Sequence, residues 1–163
     1  MVPLSARARD WLDSVTGVGK RAVATIIAEI GVDMTRFPTA AHLASWAGVA
    51  PGNNITGGKR GSGKTTKGDV WLIDILTQCA WATAHTRDTY LSAQFWRLAR
   101  RIGKKKAAVA VAHSILVICW HLLTADQPPQ SPREWERWWL SVVRRAIAAD
   151  YLCLLYTSDA ADE

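Results

Sequence analysis

The chain has 163 residues, 49% of them hydrophobic and 21% charged, with 20 Lys and Arg against 14 Asp and Glu for a formal charge of +6. That length and balance exclude a peptide hormone, a linker and an intrinsically disordered chain, and leave room for one cored domain with at most a small appendage. The basic excess favours an anionic partner, nucleic acid ahead of a membrane surface, while Cys79, Cys119 and Cys153 are too few and too far apart for a disulfide framework or a zinc site.

The chain opens MVPLSARARD, with no hydrophobic signal core, so a cytoplasmic setting is expected. Asp10 to Ile30 then reads as two short helices around the turn Thr16-Gly17-Val18-Gly19, with Val23, Ile26, Ile27 and Ile30 at helical spacing and Gly31 as the stop. This unit resembles the helix-hairpin-helix of many DNA-binding proteins, in which two glycines expose backbone N–H groups at a helix start to a phosphate. Lys20 and Arg21 add charge in the first turn. They oppose the helix dipole, which an anion bound there would relieve. Pro38 and Thr39 suit the start of a further helix over Ala40 to Ala47.

From Pro51 to Asp69 the chain changes character: PGNNITGGKRGSGKTTKGD contains six glycines, four bases and one acid. No packed element is expected from that composition, so this is read as a long exposed loop. Lys59, Arg60, Lys64 and Lys67 suit it to nucleic-acid phosphates. Gly58 to Thr65 satisfies the G-x-x-x-x-G-K-[ST] pattern of nucleotide-binding loops. It lacks the preceding hydrophobic strand and the immediately following helix, so nucleotide hydrolysis is rejected.

Val70 to Ala84 reads as a helix buried on more than one face, with Trp71 and Trp81 near its ends and Asp74 and Gln78 as polar islands expected to meet core partners. Tyr90 to Ile102 is a second helix ending in RLARRIGKKK. Six bases, Arg97, Arg100, Arg101, Lys104, Lys105 and Lys106, fall within ten residues there, more than a solvated helix end explains, and argue for a phosphate-facing patch. Ala107 to Leu123 is apolar, but it is short for a bilayer span and carries His113, Ser114 and His121. It is read as a buried core helix with His113 as a hydrogen-bonded core histidine.

A proline break and a Trp-rich amphipathic helix follow over residues 127 to 150. The last eleven residues, CLLYTSDAADE, match one reading frame of a common sequencing adapter at every position, so residues 153–163 are expected to be an artefact and the chain a fragment. Those residues carry three acids and no base, so without them the formal charge rises from +6 to +9.

The order of these features, a glycine hairpin followed by AEIG, then RFPTAAHLASWAGVAPGNN, ITGGKRGSGKTTKGD, a Trp-Leu helix and YLSAQFWRLARRIGKKKAAVAVAHSILVICWHLL, closely resembles the C-terminal domain of the IS-one-ten insertion-sequence transposases, bacterial bridge-RNA-guided DNA recombinases. The resemblance runs from about Leu12 to Leu123 and weakens after Pro128, where the family has a different, tyrosine-containing pattern. It divides the chain into a transposase C-terminal domain over residues 1–128, a divergent amphipathic tail over 129–152 and the adapter-like end.

The resemblance implies an all-α fold, with a helix-hairpin-helix-like unit followed by a helical core that carries the long basic loop. It implies cutting and rejoining of DNA by transesterification, a guide RNA that selects target and donor, an assembly of several copies, and no membrane. In that family an N-terminal domain supplies a carboxylate set for a divalent metal, probably Mg; no residue here is assigned to that site, Asp74 and Glu29 included, and no cofactor is expected within this chain. The C-terminal domain supplies a serine nucleophile in a loop of the form S-[GA]-G-K-R, and the matching position here is Thr56. A β-branched hydroxyl crowds the approach to phosphorus. Three readings stand: Thr56 is a slower nucleophile, Ser62 replaces it, or this copy is inactive. Alone, the chain is expected to bind and not catalyse. A non-enzymatic helix-hairpin-helix DNA-binding module is the rival reading.

Overall fold

A computed structural model describes residues 4–50, 55–56, 59–60, 67–124, 137–138, 140–142 and 144. Its elements in chain order are α1 (Leu4–Asp13), α2 (Lys20–Ile30), a 3-10 turn (Met34–Arg36), α3 (Ala40–Ala47), β1 (Ile55–Thr56), β2 (Lys59–Arg60), α4 (Val70–His85), α5 (Tyr90–Ile102) and α6 (Lys104–Thr124). The all-helical expectation holds, apart from the two-residue antiparallel pairing of β1 with β2 inside the segment read as a plain loop. Ile55 and Thr56 are β-branched and favour extended backbone. A Gly-Gly pair separates them from Lys59, the spacing and composition of a two-residue hairpin.

The helices start and stop where local chemistry directs. Thr39, Asp69 and Thr89 lie at the N-caps of α3, α4 and α5, and their side-chain oxygens accept from the backbone N–H groups of His42, Leu72 and Ser92. Gly31, Gly48 and Gly103 close α2, α3 and α5. Two boundaries differ from expectation. α1 begins at Leu4 rather than Asp10, because Ala8 and Leu12 lie one turn apart and are both buried. α6 begins at Lys104, so the cationic run spans two helices with Gly103 between them.

α6 is the central helix and packs against α1, α3, α4 and α5. Its residues from Val111 to Cys119, His113 excepted, are almost all buried, as a helix surrounded on every side requires. It is long and apolar enough to cross a membrane, yet most of it is covered by the bundle. On α5 the buried Gln94 amide donates to the Ser114 hydroxyl of α6 at 3.0 Å, which fixes the register of the two antiparallel helices. The Trp120 indole N–H donates to the Phe37 carbonyl at 3.0 Å and ties the far end of α6 to the 3-10 turn. His113 sits half-buried on α6. Cys79 and Cys119 are both core residues, and burial raises the Cys79 thiol to about 11 and the Cys119 thiol further still.

One expectation for α4 is corrected. Asp74 and Gln78 meet no core partner. They are exposed and pair with each other, the Gln78 amide donating to the Asp74 carboxylate at 2.8 Å one turn away. Trp71 stands 75% exposed, whereas the buried Leu72, Ile75, Leu76, Cys79, Ala80, Thr83 and Ala84 and the partly buried Ile73 and Trp81 pack on the core, so burial does extend beyond one face. Of the tail, residues 137–138, 140–142 and 144 are helical, and Val142 and Trp138 pack on the core. The adapter-like end lies outside the described residues.

Candidate nucleic-acid interface

The hairpin between α1 and α2 is clamped to α4. The Thr83 hydroxyl lies 3.0 Å from the Thr16 carbonyl and 2.8 Å from the Cys79 carbonyl of its own helix. Gly17 sits over this point with φ +84, where a Cβ would collide with the Thr83 hydroxyl and come within 2.7 Å of the Cys79 carbonyl. Only glycine fits both the backbone and the space. Gly17 therefore owes its identity to packing, whatever the turn binds.

Gly19 is different. It is the N-cap of α2, exposed and extended at φ −89 and ψ 171, with nothing within 4 Å of a Cβ added there and no side chain to cap the helix. The first N–H groups of an α-helix have no intrahelical partner, and Lys20 and Arg21 stand exposed in the first turn. Uncapped N–H groups and the positive end of the dipole, with Lys20 and Arg21 in the first turn, suit an anionic oxygen, while Asp10 and Asp13 of α1 line the same recess as Lys20.

The Gly-rich segment is anchored at its end. A Cβ on Gly68 would collide with the Ala47 carbonyl group and the Gly48 nitrogen, so this residue docks directly on the end of α3. Asp69 then caps α4, and its carboxylate approaches Glu29 of α2. Burial and the neighbouring Asp69 charge lift the Glu29 carboxyl above its usual range. The register of β1 and β2 makes Thr56 the direct partner of Lys59, and Ile55 that of Arg60. For Thr56, Lys59 and Arg60 the description is of the backbone, Lys67 is exposed, and Ser62 and Lys64 lie outside the described residues. The geometry departs from a nucleotide-binding loop: Lys59 and Arg60 are paired in a strand, and α4 starts only at Val70 after non-helical residues 67–69.

The third group is the α5–α6 corner. Arg97, Arg100, Arg101, Lys104, Lys105 and Lys106 are all exposed. No Asp or Glu occurs between Thr89 and Thr124, so neither helix carries a carboxylate to neutralise them. Arg100 and Arg101 complement the C-terminal dipole of α5, whereas the three lysines oppose the N-terminal dipole of α6. Lys104 lies 5.5 Å above the Trp96 ring, and the Trp96 indole donates to the Ala84 carbonyl at 3.0 Å.

Helix α4 relates these groups. The hairpin rests on Thr83 and the Trp96–Lys104 pair on Ala84, so both gather at the C-terminal half of α4. The loop is pinned at the opposite end, by Gly68 and Asp69. The two anchors are fourteen residues apart on the helix, about 21 Å at 1.5 Å per residue. Sequence reasoning missed the Thr83 clamp, which joins residues 67 apart, and the exposure of Trp71, whose one sequence signal is its place two residues after a capping aspartate. Among the described residues no three His, Cys, Asp or Glu side chains converge to hold a metal.

The chain is similar to proteins of insertion sequences. The chain is 52% identical over 46 residues, 28% of its length and 11% of the relative's, to the insertion element IS110 uncharacterized 43.6 kDa protein of Streptomyces coelicolor. It is 28% identical over 120 residues, 71% of its length and 33% of the relative's, to the transposase for insertion sequence element IS1111A of Coxiella burnetii. The chain thus spans a third or less of either relative. The model of the transposase IS116/IS110/IS902 family matches residues 9–97, more than half of the chain and all of it from α1 into α5, and the chain belongs to that family.

Proposed function

We propose that this chain is the C-terminal part of an insertion-sequence transposase, that it binds DNA and guide RNA through the hairpin, the basic loop and the α5–α6 corner, and that the loop supplies the hydroxyl nucleophile for strand cleavage and rejoining. The observation that carries the binding reading is the α5–α6 corner: six exposed bases on two helices without a carboxylate, three of them at the unfavourable end of a dipole. Such an arrangement costs the isolated protein electrostatic energy that polyanion binding recovers.

In the cleavage step the Thr56 hydroxyl oxygen forms a bond to phosphorus as one deoxyribose–oxygen bond to phosphorus breaks. The hydroxyl proton passes to a base, and the departing oxygen takes up a proton. Lys59, Arg60, Lys64 and Lys67 would offset the charge on the phosphate. The register pairing of Thr56 with Lys59 supports that division of labour. The divalent metal belongs to a further domain of the complete protein, where it would polarise the phosphate. The complete protein is a homo-oligomer acting on DNA in the cytoplasm.

Strand exchange by the complete protein tests this. Thr56→Ala abolishes exchange and leaves DNA binding within about twofold, while Thr56→Ser raises the rate. If Thr56→Ala exchanges strands as fast as the parent and Ser62→Ala does not, the nucleophile is Ser62. If neither substitution matters while the hairpin variants lose binding, the chain is a DNA-binding module without a catalytic hydroxyl.

A further inference from the structure

We propose that Trp96 is a positioning residue for the α5–α6 corner: its ring holds the Lys104 ammonium in place for a backbone phosphate, so that the corner grips the sugar–phosphate chain and leaves the bases unread. This rests on the reading of the corner as a nucleic-acid contact.

The pair is a product of the turn between the two helices. On an uninterrupted helix residues 96 and 104 would be separated by about 12 Å along the axis. Gly103 intervenes with φ +86 and ψ 155, a combination essentially confined to glycine, and the chain reverses so that Lys104 lies 5.5 Å above the Trp96 ring. The ring is itself fixed. Its N–H donates to the Ala84 carbonyl at 3.0 Å, and it stands at 82° to the Phe95 ring with centroids 5.4 Å apart. Phe95 is fully buried and packs on Trp81. Of the six bases at the corner, Lys104 alone lies over a ring.

A freely moving lysine loses rotamer freedom when it meets a phosphate, and Lys104 also sits where the α6 dipole opposes its charge. The aromatic face offsets the dipole and confines the side chain before any ligand arrives. An ammonium has three donors, so those turned away from the ring stay open to phosphate oxygens. The nearest acid in the sequence, Asp88 in the turn before α5, is exposed, and no Asp or Glu follows it as far as Thr124. The same geometry withdraws the ring from bases: a face carries Lys104, and its single N–H is committed to Ala84.

Anisotropy titrations of the full chain with a labelled DNA duplex over a range of salt test this as a double-mutant cycle. Lys104→Ala should weaken binding and lower the slope of log affinity against log salt by about 0.9. Trp96→Leu should weaken binding about 2- to 5-fold, the worth of an exposed cation–π contact, with the slope unchanged because no charge is lost. In a Lys104→Ala background Trp96→Leu should have no further effect, whereas in a Lys105→Ala background it should keep its full effect. A general loss of stability would not give that pattern. Trp96→Phe, which keeps an aromatic face, should lie closer to the parent. No change with Trp96→Leu, tighter binding, or an equal loss in the Lys104→Ala background would overturn the positioning role. So would a loss on labelled oligothymidylate that exceeds the loss on duplex and survives Lys104→Ala, which would make the ring a platform for bases. If Lys104→Ala and Lys105→Ala changed neither affinity nor slope, the reading of the corner itself would fall, and the role of Trp96 with it.

Discussion

Replacing Gly19 by Asp separates what the hairpin does for folding from what it does for binding. The position is extended, exposed and free of neighbours within 4 Å, so the backbone accepts an L side chain there without strain. Asp is a better N-cap than Gly by a few tenths of a kcal/mol, and its charge gains about 0.3–1 kcal/mol from the dipole. Lys20 and Arg21 lie within reach of it. The variant should therefore be more stable than the parent, by about 1–4 °C in melting temperature for a chain of this size. Binding should move the other way. A carboxylate about 5 Å from a phosphate repels it by about 1 kcal/mol in water and about 3 kcal/mol at an effective dielectric of 20, and it also occupies the N–H groups. DNA affinity at low salt should fall about 5- to 100-fold, measured by anisotropy beside a thermal melt. A variant that melts higher and binds duplex as well as the parent would refute the hairpin as a phosphate site; one that melts lower would refute the account of the uncapped helix.

Gly17→Ala should do the reverse, lowering stability by about 2–4 kcal/mol in a denaturant titration, since it combines a positive φ with a collision against α4. Thr83→Val removes the partner of the Thr16 carbonyl and should cost about 1–2 kcal/mol in the same assay. Replacing Lys104, Lys105 and Lys106 together by Ala should relieve the α6 dipole and raise the melting temperature, while the slope of log affinity against log salt falls by about 2 to 3. In a Cys153→Ser background Cys79 and Cys119 should resist alkylation at pH 8 until denaturant is added. Both are buried, and the Cys79 thiol, raised to about 11, ionises only well above that pH. Fast modification of either would place it outside the core.

Local chemistry alone determined most of the helices. The apolar spacing of Val23, Ile26 and Ile30, the caps at Thr39 and Asp69, and the stops at Gly31 and Gly103 act within one or two turns, so they can be read without knowing what the helices pack against. The all-round apolarity of α6 likewise announced its central place, and the charge of the α5–α6 corner is a matter of composition. What only the tertiary structure decided depends on contacts between distant residues. Gly17 reads as a phosphate-loop glycine until Thr83, sixty-six positions later, fills the space beside it. Trp71 and Trp81 lie on the same helix, yet Trp81 packs against Phe95 while Trp71 faces solvent, because α5 covers one end of α4 and the described residues leave the other bare. Residue type fixed the chemistry available at each position. Which side chains were spent on packing, and which remained exposed to meet a ligand, followed from how the helices share one core.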